Sequence, residues 1–396
     1  MRVLFISDVY FPRVNGVSTS IRTFRGDMGA YGVETVLVAP AYGAGSPVDT
    51  EAGVWRVAAG SVPGDPEDRR MKRASLRDTL TRLATEHFDL VHVHTPFLAH
   101  YSGVRFAHRA HIPVVATYHT LFEEYLHHYV PLLPRFIGGT LARRFTRSQC
   151  AQLSAIVAPS EPMRELLQAY GVTTRIEVIP TGLPAERYVP GDGQHFRERY
   201  GIATDRQLLL YVGRVAHEKN IEFLLHSFVA LRSSCPRALL AIAGEGPARE
   251  HLRALVLRLG ISQDVLFIGY LDRERTLADC YAAADVFVFA SRTETQGLVL
   301  LEALAQGRPV VSTSHLGTAS ILQPGCGARV APDRPDAFAQ AVLDILEDPA
   351  RAARLSSQAR AYAQGWSSSL MARRLAKLYG ELLDQGTATE ALAASG

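Results

Sequence analysis

Two glutamates in the segment TETQGLVLLEALAQG are candidates for sugar binding, because carboxylates accept hydrogen bonds from hydroxyl groups and diols. Glu294 lies in a glycine-containing loop, and Glu302 lies on the helix expected to follow it. Eight helical positions rise by about 12 Å, so these carboxylates cannot form one close acid pair as in a glycosidase. We expect Glu294 to contact a sugar and Glu302 a diol such as ribose. Without other signals, a capping glutamate and an exposed helical glutamate would be the favoured interpretation.

Two cations follow a strand earlier in the same half of the chain. The segment YVGRVAHEKN places Arg214 and Lys219 just beyond a buried strand, and a helix is expected to begin near Asn220. A guanidinium fork, an ammonium group and the positive end of a helix all favour a diphosphate. Taken alone, the pair is equally compatible with solvated surface charge.

The first half carries further candidates at strand ends. Gly16, in FPRVNGVSTS, follows the first strand and allows backbone amides to approach a phosphate or an acceptor. His119 ends the strand IPVVATYH, where its side chain can face a cleft; in isolation it is equally a satisfied structural histidine. His92 and His94 alternate along an earlier strand and are interpreted as structural, with one of them able to line an acceptor pocket. The chain contains no GxGxxG motif, which argues against a dinucleotide oxidoreductase.

These residues need strands and helices to position them, and the sequence predicts an α/β fold. Apolar runs rich in Val, Ile and Leu alternate with segments of helical period, which is typical of parallel sheets buried on both faces. Helices are expected to fill the gaps between the strands. The predicted strands are 3–7, 34–40, 89–95, 112–119, 154–160, 176–182, 207–215, 238–246, 264–271, 285–291 and 309–314.

The length of 396 residues exceeds the size at which one hydrophobic core stops growing, so we expect two domains. Pro and Gly residues punctuate the stretch 183–201, which separates two series of strands. The predicted domains are 1–185 and 186–365, and 366–396 is predicted to be a helix returning to the first domain plus a loosely held tail. Ligands of open α/β sheets bind at the carboxyl ends of the strands, so a cleft is expected between the two halves.

Composition excludes several other classes of protein. Hydrophobic residues make up 47% of the chain and charged residues 20%, as in ordinary soluble proteins, and the net charge of +3 is too small to indicate nucleic-acid binding. The longest apolar runs are too short for a membrane span or a signal peptide, which favours a cytoplasmic protein. Four widely spaced cysteines are expected to be buried, reduced thiols rather than zinc ligands.

The motifs together resemble the family 4 retaining glycosyltransferases, which have the GT-B fold of two facing Rossmann-like, doubly wound domains with a cleft between them. The resemblance covers nearly the whole chain and rests on the order of its motifs. In sequence these are NGVSTS, TYHT, VAPS, VIPTG, GRVAHEKN, AGEGP and TETQGLVLLEALAQGRPVV.

The resemblance assigns roles to individual residues. It implies that Arg214 and Lys219 bind the donor diphosphate and stabilise the leaving group, and that Glu294 and His119 contribute to the catalytic centre. Glu302 is implied to bind the ribose of the donor. The remaining implied donor-binding residues are Gly16, Gly244, Tyr270, Leu271, Thr295, Gln296, Gly297 and Leu298. No metal or other cofactor is implied, which fits the lack of a DxD pair at a strand end. The 186–365 domain would then bind the nucleotide sugar and the 1–185 domain the acceptor.

An acceptor and a membrane surface are suggested by aromatic and basic residues of the first half. The segment TYHTLFEEYLHHYVPLLPRF, with Tyr125 and His128, precedes a helix with three arginines and resembles the acceptor side of enzymes that glycosylate diacylglycerol. Cations near an anionic membrane contribute ~1 kcal/mol each. The basic residues are Arg143, Arg144 and Arg147 on that helix, and Arg69, Arg70, Lys72 and Arg73 in a second cluster. The alternative is ordinary amphipathic helices whose charged faces are solvated.

The expected function is therefore that of a retaining hexosyltransferase of the EC 2.4.1 type. UDP-glucose is favoured as donor and a lipid such as diacylglycerol as acceptor, with the enzyme peripheral on the inner face of the cell membrane. GDP-mannose as donor and a soluble sugar or metabolite as acceptor remain alternatives. A nucleotide-sugar epimerase is another, although epimerases lack the glutamate pair combined with GRVAHEKN. A non-catalytic carbohydrate-binding protein is disfavoured by the full set of donor residues.

Overall fold

The computed structural model describes residues 1–43, 51–62, 65–119, 135–272 and 276–394, and their side chains except those of 65–67, 135–141 and 386–394. The chain forms two units. Unit 1 comprises Met1–Gly182 and Ser368–Gly396, and unit 2 comprises Leu183–Ser367. The last helix thus belongs to unit 1, where its residues Met371, Leu375 and Tyr379 pack in the same apolar cluster as the first strand.

The strands, numbered in chain order, alternate with helices through most of the chain. They are β1 Arg2–Ile6, β2 Glu34–Pro40, β3 Val54–Val57, β4 Ala59–Val62, β5 Asp65–Met71, β6 Leu90–Val93, β7 Val114–Thr117, β8 Ala155–Ala158, β9 Ile176–Val178, β10 Gln207–Val212, β11 Ala238–Ala243, β12 Val265–Gly269, β13 Val286–Phe289, β14 Val310–Ser312 and β15 Ala328–Val330.

The α-helices, numbered likewise, connect these strands on both faces of the sheets. They are α1 Gly16–Met28, α2 Arg73–Leu83, α3 Leu98–Ala110, α4 Arg135–Cys150, α5 Glu161–Ala169, α6 Gly193–Arg199, α7 Ile221–Arg232, α8 Arg249–Arg258, α9 Thr276–Ala283, α10 Leu298–Ala305, α11 Thr318–Ile321, α12 Pro335–Leu346, α13 Pro349–Ala363 and α14 Ser368–Ala394.

Unit 1 is built on a parallel sheet with the strand order β3-β2-β1-β6-β7-β8-β9. Successive side chains of β1 point to opposite faces: Val3 and Phe5 pack with α1 and α14, whereas Leu4 and Ile6 belong to a separate cluster on the other face. Both faces of the sheet are therefore buried, as the continuous apolar runs predict.

Unit 2 contains a second parallel sheet, with the order β12-β11-β10-β13-β14-β15. Its central strands β10 and β11 pair in register from Gln207 opposite Ala238 to Val212 opposite Ala243. From β10 the chain adds β11 and β12 on one side of the sheet, and then β13, β14 and β15 on the other side. The loops after the neighbouring strands β10 and β13 therefore lead in opposite directions at the carboxyl edge. The α/β class predicted from the sequence is confirmed in both units.

The expectation that helices fill every gap between strands is wrong for the segment between β2 and α2. Here β3 extends the sheet beside β2, and β4 pairs antiparallel with β5, which carries Arg69 and Arg70. The strand β5 reads DPEDRRM, which has almost no apolar alternation, so only its pairing with β4 makes it a strand. The short strand β15 was also missed, and α14 continues to Ala394 where a loosely held tail was expected.

All four cysteines are buried and free, as predicted. Among the helices of the described residues, none combines the length and the apolar character that crossing a membrane requires.

Unit 1 buries His92, His94 and His100 and half-buries His119, and burial changes their titration. Burial lowers the pKa of His92 and His119 to about 3, that of His100 to about 4, and that of His94 well below its usual range. In the unfolded chain each of these imidazoles accepts a proton near pH 6.5. Asp8 has the opposite effect on stability in acid, because burial raises the pKa of its carboxyl to about 6 and the folded state binds this proton more readily. Acid therefore favours the unfolded state through the histidines, which outnumber this carboxyl.

We predict that His100→Phe makes the protein less sensitive to acid. The folded state keeps His100 neutral down to about pH 4, so its contribution to stability is present above pH 6.5 and is lost as the pH falls below that value. Removing the imidazole should recover about 2 kcal/mol of the unfolding free energy lost between pH 7 and pH 4.5. Urea unfolding at the two pH values measures this difference.

The matched control is His108→Phe, which changes an exposed histidine on the same helix α3. Because this control changes a side chain that solvent surrounds and removes no buried group, it should keep the acid sensitivity of the wild type. Equal acid sensitivity in His100→Phe and the wild type would show that burial of His100 does not control its titration.

Candidate active site

The carboxyl edge of the unit 2 sheet brings together two of the residues singled out in the sequence. Lys219 lies in the turn after β10, and Glu294 lies in the loop after the neighbouring strand β13. The Lys219 Nζ atom is 2.6 Å from Glu294 Oε1, and the two side chains are 19% and 20% exposed. A charged pair therefore stands at the edge where ligands of such sheets bind, with part of each side chain open to solvent.

Asn220 fixes the position of Lys219. Its backbone is left-handed, with φ of 56°, a conformation that asparagine tolerates better than most residues. The side-chain amide of Asn220 donates to the carbonyl of Ala290, at 3.2 Å, which connects the turn after β10 to the end of β13. The helix α7 then begins at Ile221, close to the start predicted from the sequence.

Arg214 lies in the same loop as Lys219. Its guanidinium is 3.9 Å from Glu218, and 43% of its side chain is exposed. A contact at this distance between partly exposed groups is weak, and part of the guanidinium is open to solvent at this edge of the sheet. The loop after β10 thus supplies two cations, as the sequence predicts.

Two glycines hold the loops after β10 and β11 against each other. A Cβ atom on Gly244 would lie 1.9 Å from the carbonyl oxygen of Gly213, and one on Gly246 would lie 2.4 Å from that of Val215. The amide of Val215 donates to the carbonyl of Glu245 at 2.9 Å. Gly244 is therefore required for close backbone packing, whatever contact it makes with a ligand.

The TETQG loop is shaped by glycines at both of its sides. Gly297 has a φ of 96° and precedes α10, while Gln296 is buried and Thr295 and Leu298 are half-buried. The amide of Gly317, in the loop after β14, donates to the carbonyl of Glu294 at 2.9 Å. A Cβ atom on Gly317 would lie 2.1 Å from the Thr295 carbonyl oxygen, so only glycine fits. Sequence reasoning missed Gly317, although a glycine shortly after a strand was the available signal.

Glu302 is buried rather than exposed, with 3% of its surface accessible. It lies on α10, and its Oε2 atom accepts a hydrogen bond of 2.9 Å from the hydroxyl of Tyr281 on α9. A buried carboxylate needs such donors, because its desolvation is costly. The sequence shows no spacing that links Tyr281 to Glu302, so this partner was not predicted.

Tyr270 and Leu271, the residues expected near the base, directly follow β12. Tyr270 is 58% exposed, and Leu271 is half-buried. The amide of Gly244 donates to the carbonyl of Gly269 at 2.8 Å, which connects this strand end to the loop after β11. The loops after β10, β11 and β12 are thus joined by backbone contacts along one edge of the unit 2 sheet.

Gly16 lies in unit 1, beside the carboxyl end of β1. It is the first residue of α1, whose N-cap Asn15 accepts a hydrogen bond from the amide of Ser18 at 2.8 Å. No atom lies within 4 Å of the place where a Cβ on Gly16 would be, so the backbone is open there. A side chain would therefore fit at this position, and the contact of the α1 amides with a phosphate or an acceptor stays a prediction.

His119 follows β7 in unit 1 and contacts a second histidine. Its Nε2 atom is 3.3 Å from Nδ1 of His94, and the two rings stack with their centroids 5.6 Å apart. The atoms packed around His119 lower the pKa of its imidazole, although part of the residue is accessible. His92 lies deeper, and its two ring nitrogens contact the hydroxyls of Tyr379 and Thr117. These contacts agree with the interpretation of His92 as a structural histidine.

The basic residues expected at a membrane lie in unit 1. On α4, Arg143, Arg144 and Arg147 are exposed, and the Arg143 guanidinium lies 5.4 Å from the ring centre of Tyr170. Of the second cluster, Arg70, Lys72 and Arg73 are exposed, whereas Arg69 is half-buried on β5 with its guanidinium 5.9 Å from the ring centre of Tyr42. Tyr125 and His128 lie outside the described residues.

Two family models match consecutive segments of the chain, which adjoin a few residues after the boundary between the units. The model of Glycosyltransferase Family 4 matches residues 14–187, and that of Glycosyl transferases group 1 matches residues 192–362. The residues at the carboxyl edge of the unit 2 sheet all lie within the second match. The resemblance inferred from motif order is confirmed.

Two curated relatives carry the name alpha-monoglucosyldiacylglycerol synthase. The protein of Streptococcus pneumoniae is 30% identical over 326 residues, 79% of this chain and 71% of the relative. That of Acholeplasma laidlawii is 24% identical over 393 residues, 97% of this chain and 98% of the relative. Among solved structures, Anabaena HepE in complex with UDP has a TM-score of 0.77 at 18% identity, over 96% of this chain and all of that one (100%). This likeness shows the GT-B fold.

We predict that Tyr281→Phe weakens the binding of UDP. Loss of the hydroxyl removes a hydrogen-bond donor from the buried carboxylate of Glu302, a change of about 1 kcal/mol or more, which corresponds to about a fivefold to tenfold loss of affinity. Calorimetric titration with UDP measures the effect. The matched control is Tyr188→Phe, which removes a hydroxyl that donates to the Ala363 carbonyl at 2.9 Å elsewhere in unit 2. Unchanged UDP affinity in folded Tyr281→Phe would show that Tyr281 does not support Glu302 in nucleotide binding.

Proposed function

The chain belongs to the family 4 glycosyltransferases, and on this basis we propose that it transfers glucose from UDP-glucose to diacylglycerol with retention of anomeric configuration. The observation that carries the proposal is the contact of Lys219 with Glu294 at the carboxyl edge of the unit 2 sheet. A cation for the diphosphate and a carboxylate for the sugar are thereby held next to each other. The names of the two relatives support glucose as the sugar and diacylglycerol as the acceptor.

The donor would be bound along this edge from base to sugar. Backbone groups near Tyr270 and Leu271 would contact the base, and Glu302 the ribose. Arg214 and Lys219 would contact the diphosphate, since both are cations on the loop after β10. Glu294 would accept hydrogen bonds from the sugar hydroxyls. The amides of residues 296–298, at the start of α10, would donate hydrogen bonds to them.

In the proposed reaction the acceptor hydroxyl attacks the anomeric carbon from the face that the diphosphate leaves. The bond between the anomeric carbon and the β-phosphate oxygen breaks, and its electron pair leaves with UDP. The bond to the acceptor oxygen forms, and the hydroxyl proton passes to the departing phosphate. Arg214 and Lys219 stabilise the charge that develops on the leaving group. His119 is proposed to contact the sugar as a neutral imidazole.

A double displacement through Glu294 is disfavoured. Its carboxylate is held 2.6 Å from the ammonium of Lys219, and such pairing lowers the nucleophilicity of an oxygen anion. We propose that no metal ion is required, because the two cations of the loop after β10 supply the positive charge that a metal would otherwise bring.

The acceptor side is proposed to work at the inner face of the cell membrane, from the cytoplasm. The exposed arginines of α4 and the exposed Arg70, Lys72 and Arg73 support attraction to anionic lipids. The enzyme would then be a peripheral protein that takes its donor from solution and its acceptor from the bilayer. The names of the relatives agree with a lipid acceptor.

We predict that the purified protein converts UDP-glucose and diacylglycerol in vesicles into a lipid with an α-linked glucose. Mass spectrometry identifies the product, and the proton coupling of its anomeric carbon in NMR gives the configuration. Lys219→Ala should lose nearly all transfer while remaining folded. A β-linked product would contradict retention, and transfer from GDP-mannose but not UDP-glucose would contradict the proposed donor. Formation of an epimer without any glycoside would contradict a transferase.

The same assay tests the membrane proposal when the vesicle composition is varied. At low salt, transfer should be faster on vesicles with anionic lipid than on neutral ones, because anionic headgroups attract the exposed arginines of α4. Replacing Arg143, Arg144 and Arg147 by Gln should reduce this difference while leaving UDP binding intact, and the second basic cluster should account for the remainder. Equal rates on both kinds of vesicle in the wild type would overturn the role of these arginines.

A further inference from the structure

A cavity lies at the opposite edge of the unit 2 sheet from the proposed donor residues. Its volume is about 670 Å³, within the range of small-ligand sites. It is lined by residues that precede strands, including Ala284 before β13 and Arg308 before β14, and by part of α13. All of its lining residues belong to unit 2. The family-specific donor residues follow strands, so this cavity is a separate site.

The wall of this cavity is built from closely packed backbone. Gln306 is buried, and its amide donates to the carbonyls of Arg187 and Val189 at 2.9 and 2.8 Å. Its carbonyl oxygen accepts from the amide of Gly191 at 3.0 Å. A Cβ on Gly191 would lie 2.3 Å from the backbone of Ala278, so this segment packs directly on α9. The cavity is therefore preformed.

Arg308 and Arg360 give the cavity positive charge. Arg308 donates to the carbonyls of Ala284 and Gln306, at 2.9 and 3.1 Å, and Arg360 donates to the hydroxyl of Ser356 at 2.9 Å. In the described part of the chain, the hydrogen-bond partners of both arginines are neutral groups. Their charges therefore remain available to an anion.

The two guanidinium groups are also close enough to repel each other. Burial lowers the pKa of Arg308, and the charge of Arg360 lowers it further. Arg360 lies over Gly307, where a Cβ would be 2.4 Å from its Cζ atom, so the missing side chain of Gly307 makes room for the guanidinium. An anion between Arg308 and Arg360 would relieve this repulsion.

The carboxylates of the same cavity compensate only part of the charge of its arginines, and Asp285 acts on Arg308 from a distance. Asp285 is 3.0 Å from a third guanidinium, that of Arg197, and also accepts from the amide of Leu208 at 2.7 Å. Glu198 accepts from the side-chain amide of Gln194 at 3.0 Å. Asp285 is thus paired with Arg197, whereas Glu198 keeps its negative charge because its partner is neutral, so the three arginines and two carboxylates of the lining leave one net positive charge in the cavity.

We propose that this cavity binds the phosphate group of a small metabolite between Arg308 and Arg360. Guanidinium groups contact phosphate oxygens through paired hydrogen bonds, and Gln194 and Gln364 line the same cavity with further polar groups. The site is distinct from the donor diphosphate site, because the two lie at opposite ends of the strands of one sheet. Its lining includes Tyr188 and Gln364, which lie within a few residues of the points where the chain leaves and re-enters unit 1.

The test measures thermal unfolding of the full chain with inorganic pyrophosphate as the probe. Saturating UDP is present throughout, so that the donor site is filled and cannot account for the shift. Pyrophosphate should raise the melting temperature of the wild type further. Arg360→Gln should need about tenfold more pyrophosphate for the same shift in melting temperature, because a charged hydrogen-bond donor is lost. Arg360→Lys should retain part of it.

The matched control is Arg354→Gln, which removes an exposed arginine from the same helix α13. It should respond to pyrophosphate like the wild type. Absence of a shift in the wild type, or an equal shift in Arg360→Gln, would overturn the site. A second arm uses vesicles that contain phosphatidic acid. Binding to them that depends on Arg360, without any effect of pyrophosphate, would assign the phosphate to a lipid headgroup and contradict a small metabolite.

Discussion

The contact of Lys219 with Glu294 is the constraint on which the rest of the donor site depends. The two side chains are only 19% and 20% exposed, and the cost of desolvating such a pair offsets much of its attraction. The pair therefore positions the two groups rather than adding to the folding energy. The ammonium is placed where it can serve a carboxylate and a diphosphate at once. A donor that brings two further negative charges would share Lys219 with Glu294, and this sharing links sugar position to leaving-group stabilisation.

Backbone packing, rather than side-chain contacts alone, makes this position possible. Lys219 depends on the left-handed Asn220 and on its bond to the end of β13. Glu294 depends on the amide of Gly317, whose missing side chain lets the loop after β14 support it. The central strands β10 and β13 are buried between helices, so the loops at their ends start from fixed points. The site is therefore a product of the parallel sheet that carries it.

Sequence reasoning found the parts of the fold that are encoded locally. The strand β2 was predicted with its observed bounds, because a buried parallel strand is a continuous apolar run. The hairpin of β4 and β5 was missed, since DPEDRRM becomes a strand only through its pairing. The same holds for the site. Lys219, Glu294 and Glu302 belong to recognisable motifs. In contrast, Gly317 contacts Glu294 and Tyr281 contacts Glu302 only in three dimensions, with no fixed spacing in sequence.

The most direct test of the central claim compares the binding of UDP and of UDP-glucose to Glu294→Gln by calorimetric titration. If Lys219 serves the diphosphate and Glu294 the sugar, the variant should bind UDP as tightly as the wild type or more tightly, because Lys219 loses its anionic partner. It should also lose the part of the UDP-glucose affinity that the sugar contributes. Equal weakening of UDP and UDP-glucose would contradict this division of roles between the two residues.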